Sequence, residues 1–180
     1  GFNTEIGSLA GTFGAVVDVG SNRLVVGRNN STTTFSGQLL GTSGGIFQKL
    51  GTGTLTLDNT RADSNASTFA GSVFVDQGTL ILAVADQTNG SPLAVGNSLP
   101  SNLTLTLRGG TVSLRTSGDN GGTQQNLVAG YNVVVTGANS TLAADRIGAS
   151  DTNKIIELGN LTLGRNDFVA ATANNIGLKF

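Results

Sequence analysis

Two copies of one short device constrain this chain more than anything else in it. Gly51-Thr52-Gly53-Thr54-Leu55-Thr56-Leu57-Asp58 is a glycine turn followed by an alternating strand. Asp76-Gln77-Gly78-Thr79-Leu80-Ile81-Leu82 repeats it, with Leu80 in the place of Leu55. A Gly-Thr-Leu strand that returns after roughly 25 residues predicts a solenoid, in which each turn of chain adds one coil to a stack.

The strand can be followed along the chain through residues 23–27, 111–114, 141–144 and 160–163. Leu24, Leu55, Leu80, Val112, Leu142 and Leu161 are taken as equivalents. Their steps are unequal, roughly 19–32 residues, as expected of loops of variable length on a constant coil. Further short strands are read at residues 14–19, 35–40, 46–50, 72–75, 103–107, 132–136 and 154–158, which gives two or three strands per coil. One coil cannot bury its inward face by itself; stacking at about 4.8 Å buries a continuous apolar column. The expectation is a single all-β domain over residues 1–180, a parallel β-helix (β-solenoid) of about seven coils forming a rod of roughly 30–40 Å. Crossover chirality makes it right-handed. Residues 83–100, which hold both prolines, read as a loop with a helical turn near 91–93. Residues 174–180 read as a last solenoid strand.

Composition excludes several functions. With no Cys and no His, a disulfide framework, a thiol nucleophile and the Ser-His-Asp arrangement are excluded. Ten basic against 11 acidic residues, without a Lys/Arg cluster, leave no electrostatic footprint for nucleic acid. No apolar run has the length of a membrane helix. The chain begins without Met or an apolar leader, which is read as a mature chain or an excised piece of a longer one.

The pattern in residues 46–57 and 69–80 resembles the autotransporter-associated β-strand repeat. Lys49-Leu50-Gly51-Thr52-Gly53-Thr54-Leu55-Thr56-Leu57 carries its first half. Gly71-Ser72-Val73-Phe74-Val75-Asp76-Gln77-Gly78-Thr79-Leu80 carries its second. The likeness covers residues 46–82 well, is similar in the flanks 6–11 and 35–41, and is looser over 105–114 and 133–142. It implies a right-handed parallel β-helix outside the cell or on a bacterial surface, acting as a stiff stalk, a fibre-forming subunit or an adhesive module. The family has no catalytic residues to carry over.

The expected function is therefore structural and non-enzymatic, with no cofactor. The expected partners are other copies joined end to end, or neighbouring repeats of a longer chain, with surface glycans and other cells as further candidates. Long Ser/Thr/Asn faces also suit a self-associating adhesin. The alternative is a polysaccharide-binding or polysaccharide-cleaving β-helix using Asp145, Arg146, Asp151, Lys154 and Glu157, the densest charged segment. Asp58, Asn59, Asp63 and Asn65 offer oxygen ligands for calcium, but without the EF-hand or β-roll spacing they read as a corner loop. Tyr131 is the lone tyrosine available to stack on a sugar. The phenylalanines at 13, 35, 47, 69, 74 and 168 are expected to stack inside the coils.

Overall fold

The computed structural model describes residues 3–58, 67–84, 103–116, 125–147, 154–164 and 168–180. Among them every pairing between strands is parallel, and no helix is present. The chain winds round three faces, A, B and C. Coil one holds β1 (Thr4–Ile6) on face A and β2 (Val16–Asp18) on face C, with a bridge from Gly11 to Phe35 on face B. Coil two is β3 (Arg23–Val26), β4 (Thr33–Phe35) and β5 (Gln38–Gly41), and coil three is β6 (Ile46–Lys49), β7 (Thr54–Leu57) and β8 (Thr68–Phe69). Coil four gives β9 (Ser72–Val75) and β10 (Thr79–Val84). Coil five is β11 (Thr104–Leu107), β12 (Thr111–Thr116) and β13 (Gln125–Val128). Coil six is β14 (Asn132–Val135), β15 (Ser140–Arg146) and β16 (Lys154–Glu157). Coil seven is β17 (Leu161–Leu163), β18 (Phe168–Thr172) and β19 (Ile176–Lys179). Face A is a seven-stranded sheet and face B a six-stranded one; face C is two three-stranded sheets, β2-β5-β8 and β13-β16-β19. This is the expected seven-coil parallel β-helix.

Register corrects the set of equivalent leucines. Leu55, Leu80, Val112 and Leu142 do stack on one another, on face B. Leu24 stacks instead on Phe47, and Leu161 on Val133, both on face A. The first and last steps of the sequence series therefore joined strands from two faces, not coils of unequal length. Within face A the row is Leu24, Phe47, Val73, Leu105, Val133 and Leu161, one residue from each of coils two to seven.

These two rows form the core. Phe47, Val73, Leu105 and Val133 from face A and Leu80, Val112 and Leu142 from face B are fully buried, and Phe69, Ile156 and Ile176 close the third side. Phe69 meets Phe47 edge to face, with centroids 6.5 Å apart at 71°. Its ring lies where Gly41, Gly45 and Gly71 present no side chain. Phe35, Phe47 and Phe69 lie inside as expected, and Phe168 packs against the core from its rim. Phe13 is exposed and Phe74 faces outward, because Phe74 falls between the inward positions Val73 and Val75. Ala83 and Val84 belong to β10 rather than to a loop, and residues 85–100, with the expected helical turn, lie outside the described residues. Residues 176–179 form the expected last strand, paired with β16.

The corner between faces A and B explains the Lys-x-Gly-x-Gly-Thr-Leu spacing. Gly27, Gly51 and Gly78 occupy this corner in successive coils, each with positive φ (108°, 70° and 65°). The backbones approach so closely that a Cβ on Gly51 would collide with the carbonyl of Gly27, and one on Gly78 with that of Gly51. Asn30, also in the left-handed region at φ 61°, accepts a hydrogen bond from the amide of Thr52 one coil above, at 2.9 Å. Lys49 turns inward and is almost wholly buried. Its ammonium donates to the carbonyls of Leu50 (2.7 Å) and Gly51 (2.8 Å) in its own corner and of Gln77 (3.4 Å) in the next coil.

Candidate functional site

Strand alternation decides where the five residues of the expected polysaccharide site go. Asp145 is outward on face B, in register with Arg115. Arg146 pairs with buried Thr116 and so belongs to the inward series at the end of β15. Lys154 is fully buried inside face C, while Glu157, at the other end of β16, is outward and forms an ion pair with Lys179 at 3.1 Å. Asp151 lies outside the described residues. The four described residues therefore do not line one groove: Lys154 is enclosed in the coil, and Asp145 and Glu157 sit on different faces. Of the calcium candidates, Asn59, Asp63 and Asn65 also lie outside the described residues. No cluster of three or more metal-ligating acids occurs among the described residues. Tyr131 is fully buried and presents no ring to a sugar.

The outer surface of face A carries a polar ladder that sequence reading missed. Arg23 donates through Nε to Gln48 Oε1 at 2.8 Å, and the Gln48 amide donates to the Asp76 carboxylate. Arg108 approaches Asp76 at 3.8 Å and lies 3.8 Å above the ring of Phe74. The ladder thus joins coils two to five. Its signal in the sequence is long-range, since each step is one whole coil. Beside it runs a shallow groove of about 440 Å³, lined by Arg28, Asn30, Leu50, Gly51, Asp76 and Gln77. The groove is open, and the nearby Arg28–Glu5 pair is exposed. An exposed pair of this kind contributes about 0–1 kcal/mol.

The outer surface of face B differs. Thr54, Thr79, Thr111 and Thr141 stand in register in one row, and Thr34, Thr56, Ile81, Ser113 and Ala143 in the next. Neither row contains an ionisable residue. Charge enters only in the third row, where Ala83, Arg115 and Asp145 follow one another.

Asp145 has a pKa below the ordinary carboxylate range. The Asn174 amide, 2.7 Å away, is the main cause; burial, the next largest effect, opposes it, and the Arg146 backbone amide and the Arg115 and Arg146 cations add to the lowering. A carboxylate with a depressed folded pKa stabilises the fold above the unfolded value of 3.8, and that contribution is lost as pH falls through the folded value. Asn174→Ala is therefore expected to move the Asp145 titration upward, toward 3.8, in a carboxyl-carbon NMR titration. An unchanged titration would mean that Asn174 does not set it.

The chain is similar to the protein called Adhesin BmaC autotransporter, from Brucella suis biovar 1 (strain 1330). The two are 32% identical over 154 residues, which is 85% of this chain and 4% of the relative. The chain thus spans a small fraction of the curated relative it matches. The likeness ties it to autotransporter-related sequences at that coarse level. No family model and no solved structure matches the chain.

Proposed function

We propose that this chain is a stretch of the β-helical stalk of a bacterial surface or secreted adhesin of the β-strand-repeat type. Its role in this reading is mechanical, not catalytic: it holds adhesive surfaces away from the cell. The observation that carries the reading is the unbroken seven-strand sheet of face A, in which every coil hydrogen-bonds to the next. Similarity to an autotransporter adhesin supports the surface location. A stalk must resist bending, and parallel sheets on three faces round a filled core supply that stiffness. Each coil is gripped by its neighbours through backbone ladders and the core rows, and coils two to five also through the Arg23–Gln48–Asp76–Arg108 ladder.

Stiffness is measurable. Spin labels on outward positions of coils two and six, such as Thr34 and Ala143 on face B, are separated by four coil spacings, roughly 19 Å. A narrow distance distribution at that scale by pulsed electron spectroscopy is the expected result. A broad one would rule out a stalk. Antibody against the chain is expected to label intact cells that express the parent protein; labelling only after lysis would remove the surface assignment.

A further inference from the structure

We propose that the groove at the corner between faces A and B binds a carboxylate-bearing glycan of the uronic-acid class. Three observations carry this. The groove of about 440 Å³ shares Arg28 and Leu50 as a common wall with a second, of about 280 Å³, which Glu5 and Arg23 line on face A. The larger lies within the roughly 300–1,000 Å³ of small-molecule sites. The guanidinium groups of Arg23 and Arg28 thus face one surface path with a single carboxylate, Glu5, beside them. Asp76 is turned away, since its Oδ2 accepts from the Gln48 amide and its Oδ1 is buried. Neutral amides follow along the wall. The Thr52 amide occupies Asn30 Oδ1, which leaves the exposed NH2 of Asn30 to donate, and Gln77 is exposed beside it. The floor is fixed from beneath, because the carbonyls of Leu50, Gly51 and Gln77 all accept from the Lys49 ammonium.

Arg28 is the anchor. Its side chain is 65% exposed and that of Glu5 43% exposed, so the pair is weak and open to exchange. A uronate carboxylate displaces Glu5 and takes the planar guanidinium through paired hydrogen bonds. Arg23, whose own acceptor Gln48 Oε1 is neutral, adds a second positive charge along the path. The hydroxyl groups of the sugar ring fall to the amides of Asn30 and Gln77, and its C–H face to Leu50. An acidic peptide fits less well. The strands that bound the groove, β3 and β6, are each paired on both sides, so a peptide backbone finds no ladder to join.

The groove is shallow, so one chain binds weakly. Attachment gains strength when many copies meet one glycan-covered surface. The inference goes beyond the stalk reading and is tested separately from it: spin-label distances report the rod, and a ligand titration reports the groove.

The experiment is an amide NMR titration of the chain with a hyaluronan tetrasaccharide, in which glucuronate alternates with N-acetylglucosamine. Chitotetraose, its N-acetylglucosamine counterpart without a carboxylate, is the neutral control. Hyaluronan is expected to shift the amides of Arg28, Asn30, Leu50, Gly51 and Gln77, with an affinity that falls as salt rises. It is expected to bind roughly tenfold more tightly than chitotetraose, and Arg28→Gln is expected to remove about that factor. Glu5→Gln breaks the same ion pair but frees the anchor from its competitor, so it is expected to raise affinity roughly threefold. A merely structural role of the pair would lower affinity in both variants alike. No shift in the groove, equal binding of chitotetraose, undiminished binding by Arg28→Gln, or weaker binding by Glu5→Gln would each overturn the proposal. Triglutamate bound in the groove as tightly as hyaluronan would also overturn it, giving the site to an acidic peptide. Circular dichroism checks the fold of each variant. Should Arg28→Gln fail to fold, Glu5→Gln and the salt series carry the test by the same outcomes.

Discussion

Gly78→Ala is expected to destabilise the coil stack by roughly 3–4 kcal/mol, and Gly78→Val to leave the chain unfolded or insoluble. Two separate effects add. Gly78 has φ +65°, where a side chain costs about 1–2 kcal/mol. A Cβ there would also collide with the carbonyl oxygen of Gly51 and lie 2.5 Å from that of Gly53. Those atoms are backbone of the coil beneath, held by ladder bonds on both sides, so they cannot turn aside as a flexible side chain does. Gly14 provides the control. Its φ is +87°, but no atom lies within 4 Å of an added Cβ. Gly14→Ala should therefore cost only the backbone term, about 1 kcal/mol. Denaturant midpoints of the two alanine variants, followed by far-UV circular dichroism, measure the difference. If Gly78→Ala is no worse than Gly14→Ala, the close-stacked corner is not what the glycine is for.

That corner also shows what the sequence could and could not reveal. The Gly-Thr-Leu recurrence was legible because it combines a local turn requirement with a period-two apolar pattern, and both survive in a few consecutive residues. The assignment of strands to faces was less so. Leu24 and Leu55 look alike locally, yet one faces the core from face A and the other from face B; only register with Phe47 and Leu80 separates them. Strands without an apolar alternation were less legible still: the single strand read over 35–40 is in fact the end of β4 on face B and most of β5 on face C. Thr33–Phe35 has one apolar residue, and Thr68–Phe69 is a two-residue strand; tertiary pairing imposes both.

The charged site was read from closeness in sequence, which on a strand is misleading. Asp145 and Arg146 are neighbours in the chain and belong to opposite series in the sheet. Lys154 looked like a surface cation and is enclosed. Conversely, the contacts that do bring polar and charged side chains together, Arg23 to Gln48 and Arg115 beside Asp145, each span a whole coil. Their spacing is that of the coil, so they become visible only once the coil is known.

Lys49 raises the sharper energetic question, because a buried ammonium has no carboxylate partner among its hydrogen bonds. Two effects oppose each other. Desolvation penalises the charge and lowers the Lys49 pKa from 10.5. Against this, hydrogen bonds from a charged donor contribute about 1.5–3 kcal/mol each, and Lys49 makes two short ones and a long one. Removing the donor leaves corner carbonyls short of a partner and frees the contact that ties coil three to Gln77 in coil four. The bonds are expected to win. Lys49→Met, which keeps the apolar stem, should cost about 2 kcal/mol, and Lys49→Ala, which also opens a cavity, about 3–4 kcal/mol. The pH dependence separates the two terms. A lysine whose folded pKa is depressed binds fewer protons in the fold than in the unfolded chain between the folded value and 10.5, so its contribution to stability rises with pH across that window. The difference in unfolding free energy between wild type and Lys49→Met should therefore widen as pH increases toward 10.5. A gap that stays constant would mean that desolvation is not felt at Lys49. A Lys49→Met chain as stable as wild type would mean that the lysine of the repeat pattern does not staple the corner.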